Sequence, residues 1–185
     1  MSELMLGHAV PADFDSFEAL YQAFLANVKL FADQSMEMTD YYEKHYPMVH
    51  ASPFFSACLS SCVENGGDAY ADYAARYNNT SVNAIGLGTV VDSLYAIRKL
   101  VYEDHRLSLQ ELVQILDNNW EGQEVLRGII RNKLPKFGTA HKDVDPLAQD
   151  LVKHLSDYIN NQPNAKGGVY RLGLFSINWR SDWGV

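Results

Sequence analysis

Two cysteines in 185 residues are too few for a disulfide framework, which leaves out the small secreted folds that depend on one and favours a reducing cytoplasm. No apolar run reaches the ~20 residues needed to cross a bilayer. The opening MSELMLGHAV has no basic region ahead of its short apolar patch, so it does not read as a signal peptide. Clusters of Lys and Arg are missing as well. The net charge is −8, and a nucleic-acid backbone would be repelled. Internal repeats and low-complexity linkers are also lacking. What is present is 47% hydrophobic and 21% charged residues, the balance of a globular chain. A domain of this length buries roughly 70% of its unfolded surface.

Most of the chain carries helical periodicity. Asp15 reads as an N-cap with Glu18 reaching back, and Leu20, Phe24, Val28 and Phe31 recur at three- and four-residue steps, a stripe expected to stop at Pro47. Ser52-Pro53 opens a second helix through Cys58 and Cys62, stopped by Gly66-Gly67. From Asp68 to Gly88 the pattern loosens into polar turn formers. Val90, Val91, Leu94, Ile97, Leu100 and Val101 then mark a strong helix. Ser108-Leu109-Gln110-Glu111 is a capping box for the next one, and further helices are expected from Gly122 to about Leu134 and from Pro146 to Asn160. The stretch GGVYRLGLFSINW differs, being β-branched and aromatic after a glycine pair, and predicts a strand from Val169 to Trp179. The expectation is one segment, helical over 14–162 with a strand region at 168–183: mainly α with one C-terminal strand or hairpin. No partner for that strand is visible in the sequence, and an apolar strand beside the C-terminus makes the end look cut.

Three motifs invite a chemical reading. Gly86-Leu87-Gly88 opens like a dinucleotide-binding turn, but Val91 occupies the place of the third glycine and no clear strand precedes it. His45, His50, Cys58 and Cys62 have spacings a zinc site could use. Against that, the two cysteines lie one helical turn apart beside Phe54 and Phe55, where cysteine behaves as a small buried hydrophobe; no metal is expected. Cys62-Val63-Glu64 juxtaposes a thiol and a carboxylate, as a nucleophile or radical thiol with its proton partner would.

Taken in order, SFEALYQAFLANVKLF, SPFFSACLSSCVENGGD, ARYNNTSVNAIGLGTVVDSLYAIRKLVYED, LSLQELVQILDNNWEGQEVLRGIIRNKLPKFG and GGVYRLGLFSINW resemble consecutive blocks of the glycyl radical enzymes related to pyruvate formate-lyase, from about Phe14 onward. Ala75-Arg76-Tyr77-Asn78 and Val91-Asp92-Ser93-Leu94 are the most specific. The resemblance implies a piece of a ten-stranded α/β barrel wrapped in helices. It also implies a parent that performs radical lyase or dehydratase chemistry on a small polar substrate, through a glycyl radical installed by an S-adenosylmethionine-dependent activating enzyme. That family carries its thiol in a Gly-Cys-x-Glu loop and its radical in an Arg-Val-x-Gly-Tyr/Phe motif. Ser61 precedes Cys62 here, and neither motif occurs.

Cys62 is therefore expected to be a helix residue, no catalytic residue is assigned, and the chain alone is expected to be inactive. Its implied partners are the remainder of the parent enzyme and the activating enzyme, with a homodimer as a further expectation. Substrate contacts in the parent are expected at Phe175, Ser176, Ile177, Asn178 and Trp179, with Arg76, Tyr77 and Asn78 as further candidates. Alternation puts Phe175, Ile177 and Trp179 on one strand face and Leu174, Ser176 and Asn178 on the other, and either could look inward. The rival readings are a stand-alone helical protein-interaction module and a zinc-binding helical protein.

Overall fold

The computed structural model describes residues 14–175. In chain order the elements are α1 (Phe17–Val49), α2 (Pro53–Ala57), α3 (Ser60–Asn65), β1 (Thr80–Ile85), α4 (Leu87–Ile97), a π-helical continuation over Arg98–Glu103, α5 (Leu109–Asp117), α6 (Glu124–Asn132), α7 (Asp145–Ile159) and β2 (Tyr170–Phe175). The chain is mainly helical. Two compact units divide the described residues, one taking 14–25 together with Gly88–Gln149, the other Ala26–Leu87 together with 150–175.

In the first unit the apolar stripe of α4 goes inward: Val91, Leu94, Tyr95 and Ala96 are buried, and Leu100 and Val101 follow in the wider π turns. Phe17, Tyr21 and Phe24 lie one turn apart on α1 and stack in sequence, at 5.9 and 6.3 Å between ring centroids. Asp92 ties α4 to the following connection by accepting the Phe137 N–H at 2.8 Å. The capping box of α5 forms as its sequence dictates, with Ser108 Oγ accepting from the Glu111 N–H and the Glu111 carboxylate accepting from the Ser108 N–H at 2.7 Å.

The second unit holds the sheet. β1 and β2 pair in parallel with Thr80 opposite Tyr170 and Ile85 opposite Phe175. Parallel strands need a long crossover, and here four helices and the π turns lie between them in sequence. Tyr170 and Ile159 pack with Ala32 and Met36 of α1 in a buried cluster, bordered by Val82, Tyr158 and Leu172. Asp68 organises the turn after α3: its carboxylate accepts the N–H groups of Ser52, Tyr70 and Ala71 and the Ser56 hydroxyl.

Several expectations are corrected. The C-terminal strand has a partner in this chain, and the pairing is parallel rather than a hairpin. β1 lies inside the region read as helix and turn, so a strand does precede Gly86-Leu87-Gly88. Gly86 there takes a left-handed φ of +89°, which suits a residue without a Cβ. The helix that begins at Pro53 is broken at Cys58–Leu59 into α2 and α3, because Leu59 turns extended to start a new helix. Helix α1 begins at Phe17 rather than next to Asp15. Ser16 Oγ accepts the Ala19 N–H at 3.2 Å, and Glu18 accepts from Gln22 instead of reaching back. Pro47 does not stop α1 either, since its missing N–H costs one bond in the last turn and the His50 N–H still reaches the Tyr46 carbonyl at 2.9 Å.

Candidate functional site

Cys62 and Glu64 sit on α3, two residues apart, which on a helix sends the side chains to opposite sides. Cys62 is 2% exposed and Glu64 faces solvent. A thiol and carboxylate so arranged do not share a proton, and the motif is local helix sequence. Cys58 departs from its expectation: it is exposed, because the break after α2 turns it away from the buried side that holds Cys62. Among the described residues no group of three or more His, Cys, Asp or Glu side chains is placed to hold a metal ion.

The described site residues derived from sequence fall at opposite ends of the sheet. Arg76, Tyr77 and Asn78 lie just ahead of β1, at the amino end of both strands. Phe175 closes β2 at the carboxyl end, opposite Ile85, where both are exposed. Six residues at roughly 3.3 Å each separate the ends by roughly 20 Å, so Phe175 does not line one small pocket with Arg76, Tyr77 and Asn78. Ser176, Ile177, Asn178 and Trp179 lie outside the described residues.

Asn78 is committed to the backbone. Its side-chain amide donates to the carbonyls of Tyr73 and Ala75, at 2.8 and 3.2 Å, closing the turn into β1. Its own carbonyl accepts from Asn164 Nδ2 at 2.6 Å, and Gly168 passes so close that a Cβ there would lie 2.2 Å from the Asn78 oxygen. Arg76 and Tyr77 are not committed in that way. The guanidinium stands over the Tyr77 ring, 5.7 Å from its centroid, and both residues are exposed.

Behind this turn lies a polar lock that sequence patterning missed. Glu43, 5% exposed, accepts from the Thr80 hydroxyl at 2.7 Å and pairs with Lys166 Nζ at 2.9 Å, while the Tyr73 hydroxyl donates to the Glu43 carbonyl. On the next turn of α1 Asp40 accepts from the Tyr170 hydroxyl at 2.6 Å and from the Ala165 N–H at 3.0 Å. Burial, and then the bond to Asp40, raises the Tyr170 hydroxyl well above the ordinary tyrosine range. Neither Asp40 nor Glu43 is among the sequence-derived site residues. The only hint was their three-residue spacing, which puts two acids on one face.

In front of the turn a cleft of about 560 Å³ opens, lined among others by Phe55, Cys58, Tyr70, Arg76, Tyr77 and Lys166. At the other end of the sheet the arrangement is that of α/β proteins whose ligands bind outside the carboxyl ends of parallel strands.

The pyruvate formate lyase-like family model matches residues 2–181. This chain belongs to that family, the glycyl radical enzymes. It is 31% identical over 168 residues to the trans-4-hydroxy-L-proline dehydratase of Clostridioides difficile, covering 89% of this chain and 21% of that protein. It is 25% identical to the (2S)-3-sulfopropanediol dehydratase of Klebsiella oxytoca over 89% of this chain and 20% of that one. The crystal structure of the Clostridioides difficile hydroxyproline dehydratase with trans-4-hydroxy-L-proline bound superposes with a TM-score of 0.81 at 30% identity, over 88% of this chain and 20% of the dehydratase. The chain thus spans about a fifth of the length of the curated relatives it matches. Cys62, the thiol of the Cys-Val-Glu stretch, is buried in α3.

Proposed function

We propose that this chain is a wall segment of a glycyl radical lyase or dehydratase: α1 to α7 form part of the helical jacket, and β1 and β2 are neighbouring strands of the barrel. The observation that carries the reading is the parallel β1–β2 pair, joined by a helical crossover and exposed at its carboxyl end through Ile85 and Phe175. Phe175, Ser176, Ile177, Asn178 and Trp179 follow from that end and contact a small polar substrate. The radical is held elsewhere in the parent, installed by an S-adenosylmethionine-dependent activating enzyme in the cytoplasm. These residues do no radical chemistry; they orient the substrate and exclude water. Arg76, Tyr77 and Asn78, at the other end of the strands, are not substrate contacts on this reading.

The test is a chimera in which this chain replaces the matching segment of the Clostridioides difficile dehydratase. Such a chimera should acquire a glycyl radical signal on activation. Trp179→Ala and Phe175→Ala in it should keep that signal and lose turnover, whereas Arg76→Gln should leave turnover intact. The isolated chain treated with the activating enzyme should give no signal. A radical doublet from the isolated chain, or full turnover in both carboxyl-end variants, rejects the proposal.

A further inference from the structure

The cleft at the amino end of the strands is not used by the reaction pocket proposed above, and its lining has a chemical character of its own. Among the described residues no carboxylate lines it, in a chain of net charge −8. Two cations do. Lys166 is already neutralised, since its ammonium pairs with Glu43 and also donates to the Asn79 carbonyl at 3.3 Å. Arg76 is different. No protein acceptor takes its N–H groups among the described residues, and its one recorded contact is the Tyr77 ring. Its charge is therefore uncompensated, and its donors are pre-oriented by stacking rather than consumed.

The lining also has an apolar, aromatic part. Phe55 and Tyr70 stack at 5.7 Å between centroids, 24° from parallel, and Leu59 and Ala75 add to it. An aromatic stack and a guanidinium without a protein acceptor, lining one cleft, fit a molecule with a planar apolar body and a carboxylate at one end. The body packs on the aromatic rings and the carboxylate takes two parallel N–H bonds from the guanidinium. Inorganic anions would use only the second of these features, and uncharged aromatics only the first.

We propose that this cleft is a binding site for small aromatic carboxylates, with Arg76 as the anion clamp and the Phe55–Tyr70 stack as the seat of the ring. The site lies roughly 20 Å along the strands from the carboxyl end and is independent of the radical chemistry.

Cys58 supplies the readout. It lines the cleft and is exposed, whereas Cys62 is buried, so a thiol reagent applied to the folded chain reports on Cys58 alone. Benzoate should slow the labelling of Cys58 in a saturable way, and calorimetry should give the same dissociation constant. Benzamide, of the same shape without the charge, and inorganic phosphate, with the charge but no ring, should each bind about tenfold more weakly or less well still. Arg76→Gln, at an exposed position, should fold normally and lose about tenfold in benzoate affinity, with its benzamide affinity unchanged. Equal protection by benzoate and benzamide, undiminished binding of benzoate to Arg76→Gln, or the absence of any saturable protection would each overturn the proposal.

Discussion

The Tyr170 hydroxyl donates to Asp40 at 2.6 Å, with the Met36 carbonyl sharing the same proton at 2.9 Å, and joins the first residue of β2 to the middle of a helix 130 residues earlier. Tyr170 is 1% exposed, so these bonds form where water does not compete for the hydroxyl. They fix the sheet against α1 in both height and rotation, because Asp40 is held in turn by the Ala165 N–H.

Tyr170→Phe keeps the ring and deletes the donor. The expected loss is about 1.5–3 kcal/mol of unfolding free energy, the range for a hydrogen bond to a charged group. Urea denaturation measures it, with an unchanged m-value as the sign that the fold is retained. The pH dependence has a definite sign. A hydroxyl raised in the folded state contributes stability that is fully present below the unfolded value of 10.0 and is lost as pH climbs toward the raised value. The variant should lack that alkaline contribution.

Asp68 gives the opposite sign. The Ala71 N–H is the largest of the causes that shift its carboxyl, burial opposes it, and the Tyr70, Ser56 and Ser52 groups add to the lowering, from 3.8 to about 2. A lowered carboxyl contributes stability that is present above 3.8 and lost as pH falls through about 2. Thermal melts of the natural chain between pH 4.5 and pH 2, each limit taken as about a unit outside or at that window, should show this loss. Asp68→Asn should melt lower at neutral pH and show a smaller change across the same window. An identical acid profile in the two proteins would remove Asp68 from the account.

The parts of the fold written in local chemistry were legible. Ser108 and Glu111 are three residues apart, and a capping box needs nothing beyond them. The inward stripe of α4 likewise follows from spacing alone. β1 was not legible, because TSVNAI mixes Ser81 and Asn83 with its apolar residues and its partner lies ninety positions away. Its burial alternates strictly, but the inward side carries only Thr80, Val82 and Ala84, too little apolar surface to stand out from the polar turn formers before it. The break at Cys58–Leu59 was hidden for a related reason: both halves carry helical composition, and only the Asp68 turn that receives Ser52 and Ser56 requires them to part. For the candidate site, residue types were readable but their placement was not. Nothing local tells that Arg76 and Phe175 belong to opposite ends of one pair of strands.

Two glycines make a matched pair for testing how the strands approach. A Cβ at Gly168 would sit 2.2 Å from the Asn78 carbonyl oxygen, which is backbone and held by Asn164. A Cβ at Gly173 would sit equally close to Asn83 Oδ1, but that is the end of a side chain that can rotate away. Gly168→Ala should therefore cost about 1–3 kcal/mol or more as the strand entry shifts. Gly173→Ala should cost markedly less. Equal losses in urea would mean that Asn83 is as fixed as the backbone.

Ending the chain at Lys166 removes β2 and with it the seal of the second unit. The packing makes this strand part of the core rather than an appendage. Tyr170 lies within the cluster of Ala32, Met36 and Ile159, so its removal opens a cavity between α1 and α7 as well as freeing β1. Deleting one large aromatic from a core costs about 3–5 kcal/mol, and here the loss is compounded by the Asp40 bond and by the backbone bond from the Thr80 N–H to the Val169 carbonyl. Domains of this size hold only about 5–15 kcal/mol in total. The truncated chain should therefore lose helical circular dichroism from the second unit, through α1 beyond Leu25 and the second half of α7. The first unit, whose buried residues on α4 and the π turns do not include β2, should keep its signal and its protection from hydrogen exchange. A truncated protein with undiminished helical signal would show that α1 and α7 hold each other without the sheet, and that Tyr170 fills their junction without organising it.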